Sequence, residues 1–332
     1  MRNSKIITRS KTMQSLLMEV EVIRNSDCPV LIIGETGTGK EIFADYIHAN
    51  SQRNEKRFVK VSLSSLPGSL FESELFGHEK GAYTGAHQAQ QGFFEAAHNA
   101  TIYLDDIDDF PLNLQSKLLR VIENKELIHI GSNKPTDIDA RIISSSKAEL
   151  KELVDEGKFR SDLFYRLSVF RIYIPPLRER KEDIPVLLEH FIKKGVNHNN
   201  HVINFENLEF EQLFDYNWEG NVRELRNFAE KLLLYSETEI YDNFEQIFTN
   251  YVYSNNKPPT GNKDIIGQDN RIEEEVSSFE KRVNDFEKEI IIKALKESYG
   301  NVNLASRIIK LKPSTLRDKI KKHNIEINVH KE

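Results

Sequence analysis

The sequence predicts an α/β fold with a parallel sheet, followed by a helical subdomain and a separate all-α unit. Three observations carry that prediction. Strand-like apolar runs alternate with amphipathic helical stretches from residue 1 to about 172, the pattern of a layered parallel sheet. A glycine-rich run, Gly34-Glu35-Thr36-Gly37-Thr38-Gly39-Lys40-Glu41, joins one of those strands to a helix. After Pro175-Pro176 the periodicity from Ile184 to about Phe248 is helical, with no convincing strand.

In chain order the strand candidates are Val30–Ile33, Phe58–Val61, Thr101–Leu104, Ala140–Ser144 and Phe170–Ile174. Residues Asn255 to Asn270 are polar and rich in breakers, so they read as a linker, and a wholly helical unit follows from about Arg271. The expected division is 1–174 for the α/β part, 175–250 for the helical subdomain, 251–275 for the linker and 276–332 for the last unit. A length of 332 residues suits two or three domains, and 39% hydrophobic content supports real cores. The net charge of -6 is spread over many charges of both signs, so any nucleic-acid surface must be local. Cys28 is the only cysteine, which excludes an intrachain disulfide. Residues Met1 to Val20 lack the apolar core of a signal peptide, and no stretch approaches the ~20 apolar residues of a membrane span. A cytoplasmic protein without a membrane partner is the expectation.

The run from Gly34 to Lys40 is a phosphate cradle. Its glycines let successive backbone N–H groups turn toward one anion, Lys40 reaches the terminal phosphates, and the following helix adds its positive end. An ordinary strand-to-helix turn does not need the full Gly-x4-Gly-Lys spacing. Glu41 stands where most such loops place a Ser or Thr for magnesium, so the metal must be held elsewhere. Thr101-Ile102-Tyr103-Leu104-Asp105-Asp106 supplies carboxylates at the end of a buried strand, the edge of an α/β sheet where ligands bind. Asp105 is the candidate for magnesium, directly or through water, and Asp106 for orienting or deprotonating the attacking water. Asp108 and Asp109 nearby leave open a simple pair of solvated loop acids.

Arginines form a third group. Arg160 and Arg166 sit among aromatic and aliphatic neighbours in Lys158-Phe159-Arg160-Ser161-Asp162-Leu163-Phe164-Tyr165-Arg166-Leu167, and either could be an arginine finger or a structural partner of Asp162. Arg223, after Trp218-Glu219-Gly220-Asn221-Val222, could reach back from the helical subdomain to the same phosphates.

These residues, in this order, resemble the AAA+ activators of sigma-54 RNA polymerase, the bacterial enhancer-binding family. The resemblance covers nearly the whole chain. Its most specific element is Glu74-Leu75-Phe76-Gly77-His78-Glu79-Lys80-Gly81-Ala82-Tyr83-Thr84-Gly85-Ala86, similar to the family's GAFTGA loop with Tyr83 in place of Phe. The resemblance implies an AAA+ P-loop core with a helical lid, and a contact to sigma-54 made by Gly81, Ala82, Tyr83, Thr84, Gly85 and Ala86. It also implies trans-acting roles for Arg160 and Arg166, a second-sensor role for Arg223, and self-association from dimer to hexamer, with a hexameric ring as the expected assembly. Glu41 after the cradle lysine is the family's habit.

Three departures concern the hydrolytic water. Asp106 is one methylene shorter than the family's Glu, Ser62 replaces the Asn that restrains it, and Ser146-Lys147 replaces the Thr-Asn of the first sensor. A misplacement of about 1 Å at such a site can cost on the order of a hundredfold in rate. ATP binding needs only groups that are present, whereas the rate of hydrolysis is left open.

The C-terminal pattern predicts helices at Glu287–Ser298, Asn301–Lys310 and Pro313–His323, with Gly300 and Pro313 as boundary residues. From Gly300 to Ile325, seven Lys and Arg face a single Asp318, a local charge of +6 that leaves -12 for the rest of the chain. Order and spacing resemble the Fis-type helix-turn-helix, which implies double-stranded DNA as a partner. Ser314, Thr315 and Arg317 would then meet base edges, and Lys319, Lys321 and Lys322 the phosphates. Only a short segment precedes the cradle domain here, so control is expected from expression, another protein or assembly. Two functions follow as expectations: an ATPase that remodels the sigma-54 polymerase complex with ATP and magnesium, or a DNA-binding regulator that uses ATP as a structural ligand.

Overall fold

Strand β1 (Val30–Ile33) is buried along its whole length, and its neighbours repeat the theme. Strands β2 (Phe58–Ser62), β3 (Ala100–Asp105), β6 (Ala140–Ser146) and β7 (Phe170–Tyr173) join it in one parallel sheet of order β2-β3-β6-β1-β7. Strands β1 and β3, buried along nearly all their length, read as continuous apolar runs, whereas the edge strands β2 and β7 alternate buried and exposed positions and are marked by their β-branched and aromatic residues. The computed structural model describes residues 6–196, 211–236, 244–255, 288, 291–295, 298, 301–309, 311–323 and 325.

The period of two in each strand separates two cores. Val30, Ile32, Tyr103, Ile143 and Ile172 pack with helices α1 (Lys11–Val22) and α2 (Lys40–Ala49) on one face. Leu31, Ile33, Val61, Ile102, Leu104 and Ile142 face the other core. There they meet α3 (Phe71–Phe76), α4 (Phe93–Ala96), α5 (Gln115–Asn124), α6 (Leu150–Asp155) and α7 (Ser161–Leu167). An antiparallel pair, β4 (Glu126–Ile128) and β5 (Pro135–Asp137), stands outside the sheet and was not anticipated from the sequence. Its arms are three residues long and one begins with Pro135, too little for a periodicity signal.

Among the described residues no strand follows Tyr173. Helices α8 (Asp183–Val196), α9 (Glu211–Asp215), α10 (Asn221–Ser236) and α11 (Phe244–Asn255) gather around Trp218, Phe228 and Phe248. Trp218 is fully buried, and its indole N–H donates to the Leu213 carbonyl at 2.8 Å, which satisfies the one polar atom of the side chain. One expected boundary moves. Helix α11 continues to Asn255 and buries Tyr251 in this core, so residues 251–255 belong to the helical subdomain rather than to the linker. The rest of the expected linker lies outside the described residues.

The chain divides into two units, Met1–Asn256 and Lys257–Glu332. In the second, α12 (Val302–Ile308) and α13 (Pro313–Lys322) pack with residues 291–295 around Leu295, Ala305, Leu316 and Ile320. Asn301 caps α12 by accepting from the N–H groups of Asn303 and Leu304, and Pro313 opens α13. In the expected helix from Glu287 to Ser298, Lys288 and residues 291–295 are helical, while 287, 289, 290, 296 and 297 lie outside the described residues.

Candidate nucleotide-binding and hydrolytic site

The cradle occupies the turn between β1 and α2, at the carboxyl end of the sheet. Gly37 and Gly39 adopt positive φ of 81° and 103°, which glycine alone tolerates easily. The N–H groups of Thr36, Gly37 and Gly39 take no hydrogen-bond partner among the described residues, so they are available to an anion. A Cβ on Gly39 would meet nothing within 4 Å, because this part of the loop borders open space. Lys40 Nζ rests on the carbonyls of Gly34 and Glu35 at 2.7 and 3.3 Å. Burial holds the Lys40 ammonium below its ordinary pKa, against the opposing pull of Asp106, Asp105 and Asp108. A buried cation beside unpaired N–H groups is the donor set that a polyphosphate requires, so the residues fit ATP.

The register of the sheet brings the acids to the same edge. Leu104 pairs with Ser144 and Ile33 with Ser146, which sets Asp105 and Asp106 beside Ser145 and one strand from the cradle. Asp106 holds a left-handed backbone with φ 58°, and its carboxylate accepts from Ser64 Oγ at 3.4 Å. Burial and then the charge of Asp105 push its carboxyl above the usual carboxylate range. Ser62, which stands in place of the family's restraining Asn, reaches Ser64 at 3.3 Å, and the hydroxyl at the carboxylate belongs to Ser64. Ser146 and Lys147 turn toward two other acids: Ser146 Oγ donates to Asp108 at 3.2 Å, and Lys147 Nζ to Asp109 at 2.8 Å.

A cavity of about 610 Å³ joins these groups, lined by Thr36, Gly37, Gly39, Lys40 and Glu41 of the cradle, by Asp105 and Asp106, and by Arg223 of α10. The helical subdomain is docked on the cradle through backbone. Val222 and Arg223 N–H both donate to Gly37 O, at 3.0 and 3.3 Å. Asn221 is buried with φ 54°; its amide donates to Glu35 Oε2 and Thr36 O, both at 3.1 Å, and its carbonyl accepts from Leu177 N–H at 2.7 Å. Arg178 grips Glu35 with two bonds of 2.9 and 2.6 Å and holds that carboxyl below the usual range. Arg180, nearly buried, donates to Thr38 O at 2.8 Å. Gly34, Glu35, Thr36 and Thr38 thus shape the loop. Glu41 pairs with Lys60 on the exposed side at 2.9 Å while its helix borders the cavity.

Arg160 and Arg166 lie elsewhere. Neither lines this cavity; Arg160 makes a bidentate pair with Asp162 at 3.0 and 2.7 Å, and Arg166 is exposed at the end of α7. The loop from Gly81 to Ala86 is a separate projection. Gly81 and Gly85 have φ of 83° and 110°, Tyr83 is 40% exposed, and Thr84 is exposed beside it. Ala86 departs from the expected contact role: it is 6% exposed and its carbonyl accepts from Gly81 N–H, closing the neck of the loop. In α13, Arg317, Lys321 and Lys322 are exposed and Thr315 and Lys319 half-buried, whereas the side chain of Ser314 lies outside the described residues. Among the described residues no helix is long and apolar enough to cross a membrane.

Arg178, Arg180 and Asn221, in the stretches that the resemblance gives to the lid junction and the second sensor, tie subdomain to cradle; sequence reasoning missed Tyr103 and Ser145, which touch Asp105. A signal existed for Tyr103 alone: it is two residues before Asp105 on a strand, so both project from one face.

Comparison with known proteins accords with this arrangement. A family model described as the Sigma-54 interaction domain matches residues 6–173, an AAA+ ATPase lid domain matches 178–260, and the Fis family of bacterial regulatory proteins matches 282–323. The regulatory protein AtoC of Escherichia coli is 37% identical over 97% of this chain and 68% of its own length. The transcriptional activator HyfR of the same organism is 47% identical over 69% of this chain, which spans only 34% of HyfR. A crystal structure of NtrX from Brucella abortus in complex with ATP superposes with a TM-score of 0.68 at 28% identity, over 97% of this chain and 70% of NtrX. With an AAA+ α/β fold, a lid and a Fis-type helix-turn-helix in that order, the chain belongs to the Sigma-54 interaction domain family.

Proposed function

We propose that this protein is an ATP-dependent transcription activator. It binds upstream double-stranded DNA through α13, assembles into a ring, and uses ATP hydrolysis to drive the Tyr83-Thr84 loop against the sigma-54 RNA polymerase closed complex. The observation that carries this reading is the convergence of Lys40, Asp105, Asp106 and Arg223 on one cavity, in a chain that also carries the exposed Gly81–Gly85 loop.

Lys40 leaves the loop carbonyls for the terminal phosphates, and the free N–H groups of Thr36, Gly37 and Gly39 take the bridging oxygens. Asp105 would hold the magnesium that accompanies ATP, and the ion would supply neutralisation of charge on the phosphates. Asp106 orients the attacking water and receives its proton. Arg223 reports the phosphates to the lid, whose backbone is already bonded to Gly37. Arg160 and Arg166 act on the site of a neighbouring copy.

A second reading rests on Ser146 and Lys147. Both are engaged by Asp108 and Asp109, which favours a regulator that holds ATP as a structural ligand and turns it over poorly. Retention of Arg160, Arg166, Arg223 and the loop supports the motor. Thr84→Ala tests the loop directly: the variant is expected to bind ATP normally and to lose opening of a sigma-54 promoter. Unchanged promoter opening overturns the loop assignment.

A further inference from the structure

Two buried hydroxyls hold Asp105, and neither belongs to the cradle or to the lid. Tyr103 Oη donates to Asp105 Oδ1 at 2.7 Å, and Ser145 Oγ donates to the same oxygen at 2.5 Å. The other oxygen, Oδ2, takes no hydrogen bond among the described residues. Ser145 is fully buried on β6, and its Oγ also accepts the N–H of Asp106 at 3.2 Å. One serine therefore joins the side chain of Asp105 to the backbone of Asp106 at the residue where the chain turns left-handed.

The sheet explains why these atoms meet. Tyr103 and Asp105 alternate onto the same face of β3, and Ser145 lies one step past the Leu104–Ser144 pair on β6. The Tyr103 ring is 1% exposed within the α1 and α2 core, so its hydroxyl emerges from an apolar base with no freedom to swing away. A carboxylate offers about four lone-pair sites; two fixed donors on one oxygen set its rotation and reserve the other oxygen.

We propose that Tyr103 and Ser145 are positioning residues of the hydrolytic centre, which fix Asp105 so that Oδ2 is kept for the divalent cation and lock Asp106 beside it. The inference rests on the reading of Asp105 as the metal carboxylate. Partners of this kind, one bond behind a ligand, typically matter on the order of 10-fold or more for metal affinity.

The test uses Tyr103→Phe and Ser145→Ala, singly and together, in the full chain. Mn2+ binding to the complex of protein with ATP is read by electron paramagnetic resonance, and ATP binding without metal by fluorescence titration. Each single variant is expected to weaken Mn2+ binding by about 10-fold, with metal-free ATP affinity unchanged. The double variant should lose less than the product of the two, because both hydroxyls act on one oxygen. Tyr103→Phe removes a single oxygen and keeps the ring, so it carries the test if Ser145→Ala fails to fold. Unchanged Mn2+ affinity in the folded variants overturns the proposal, provided Asp105→Ala loses the metal. If Asp105→Ala also leaves Mn2+ affinity unchanged, the reading of Asp105 falls, and this inference with it.

Discussion

Gly37 joins two demands at one residue. Its φ of 81° is a conformation that costs an L side chain about 1–2 kcal/mol, and a Cβ there would stand 2.2 Å from the carbonyl oxygen of Gly220. That neighbour is backbone and cannot rotate aside. Gly37→Ala must therefore push the lid off the cradle, breaking the bonds from Val222 and Arg223 to Gly37 O. A loss of ATP affinity of at least about 10-fold is expected by titration, equal to about 1.4 kcal/mol; unaltered affinity would show that docking does not depend on this approach. The glycines and acids of this site were legible because their residue types and spacing are demanded by phosphate and metal. Tyr103 and Ser145 were not, because an aromatic residue and a small residue inside buried strands look like core packing until the register of β3 and β6 is known. The docking contacts of Asn221 were equally hidden: it is buried, and its partners Glu35 and Thr36 are almost two hundred residues earlier in the chain.

At the scale of elements, apolar continuity in β1 and β3 and β-branched or aromatic residues in the edge strands made the parallel sheet readable, and short length hid β4 and β5. The helical subdomain depends on a single aromatic cluster. Trp218 contacts the Tyr216 ring edge-on at 5.0 Å and lies 5.9 Å from Phe228, while Asn221, three residues on, holds both Leu177 and the cradle. Trp218→Ala removes the largest buried side chain of this core and leaves the Leu213 carbonyl without its indole partner. A cost of about 3–5 kcal/mol is expected. Urea unfolding followed by circular dichroism measures it, and a loss under about 1 kcal/mol would mean that the cluster is not what organises the lid. The end of α11 was misread for a related reason: Tyr251 and its neighbours are polar enough to resemble a linker, yet one face of that stretch completes the core.

At the scale of the whole molecule, the cavity of one chain contains the cradle, the acids and Arg223, but neither Arg160 nor Arg166. Those two arginines project from the α7 end of the sheet, where Tyr165 is also 72% exposed, an arrangement that suits contact with a second copy. Completion of each site by its neighbour predicts that activity depends on assembly. The altered neighbours of the hydrolytic water, Asp106 and the Ser146-Lys147 pair held by Asp108 and Asp109, make turnover the point on which the motor and the ligand-only readings divide. Steady-state phosphate release from ATP, measured across protein concentration for the natural chain and for Asp106→Ala, decides between them. Turnover per chain is expected to rise with concentration and to disappear in the variant. Turnover no higher than that of Asp106→Ala at any concentration would contradict the motor reading.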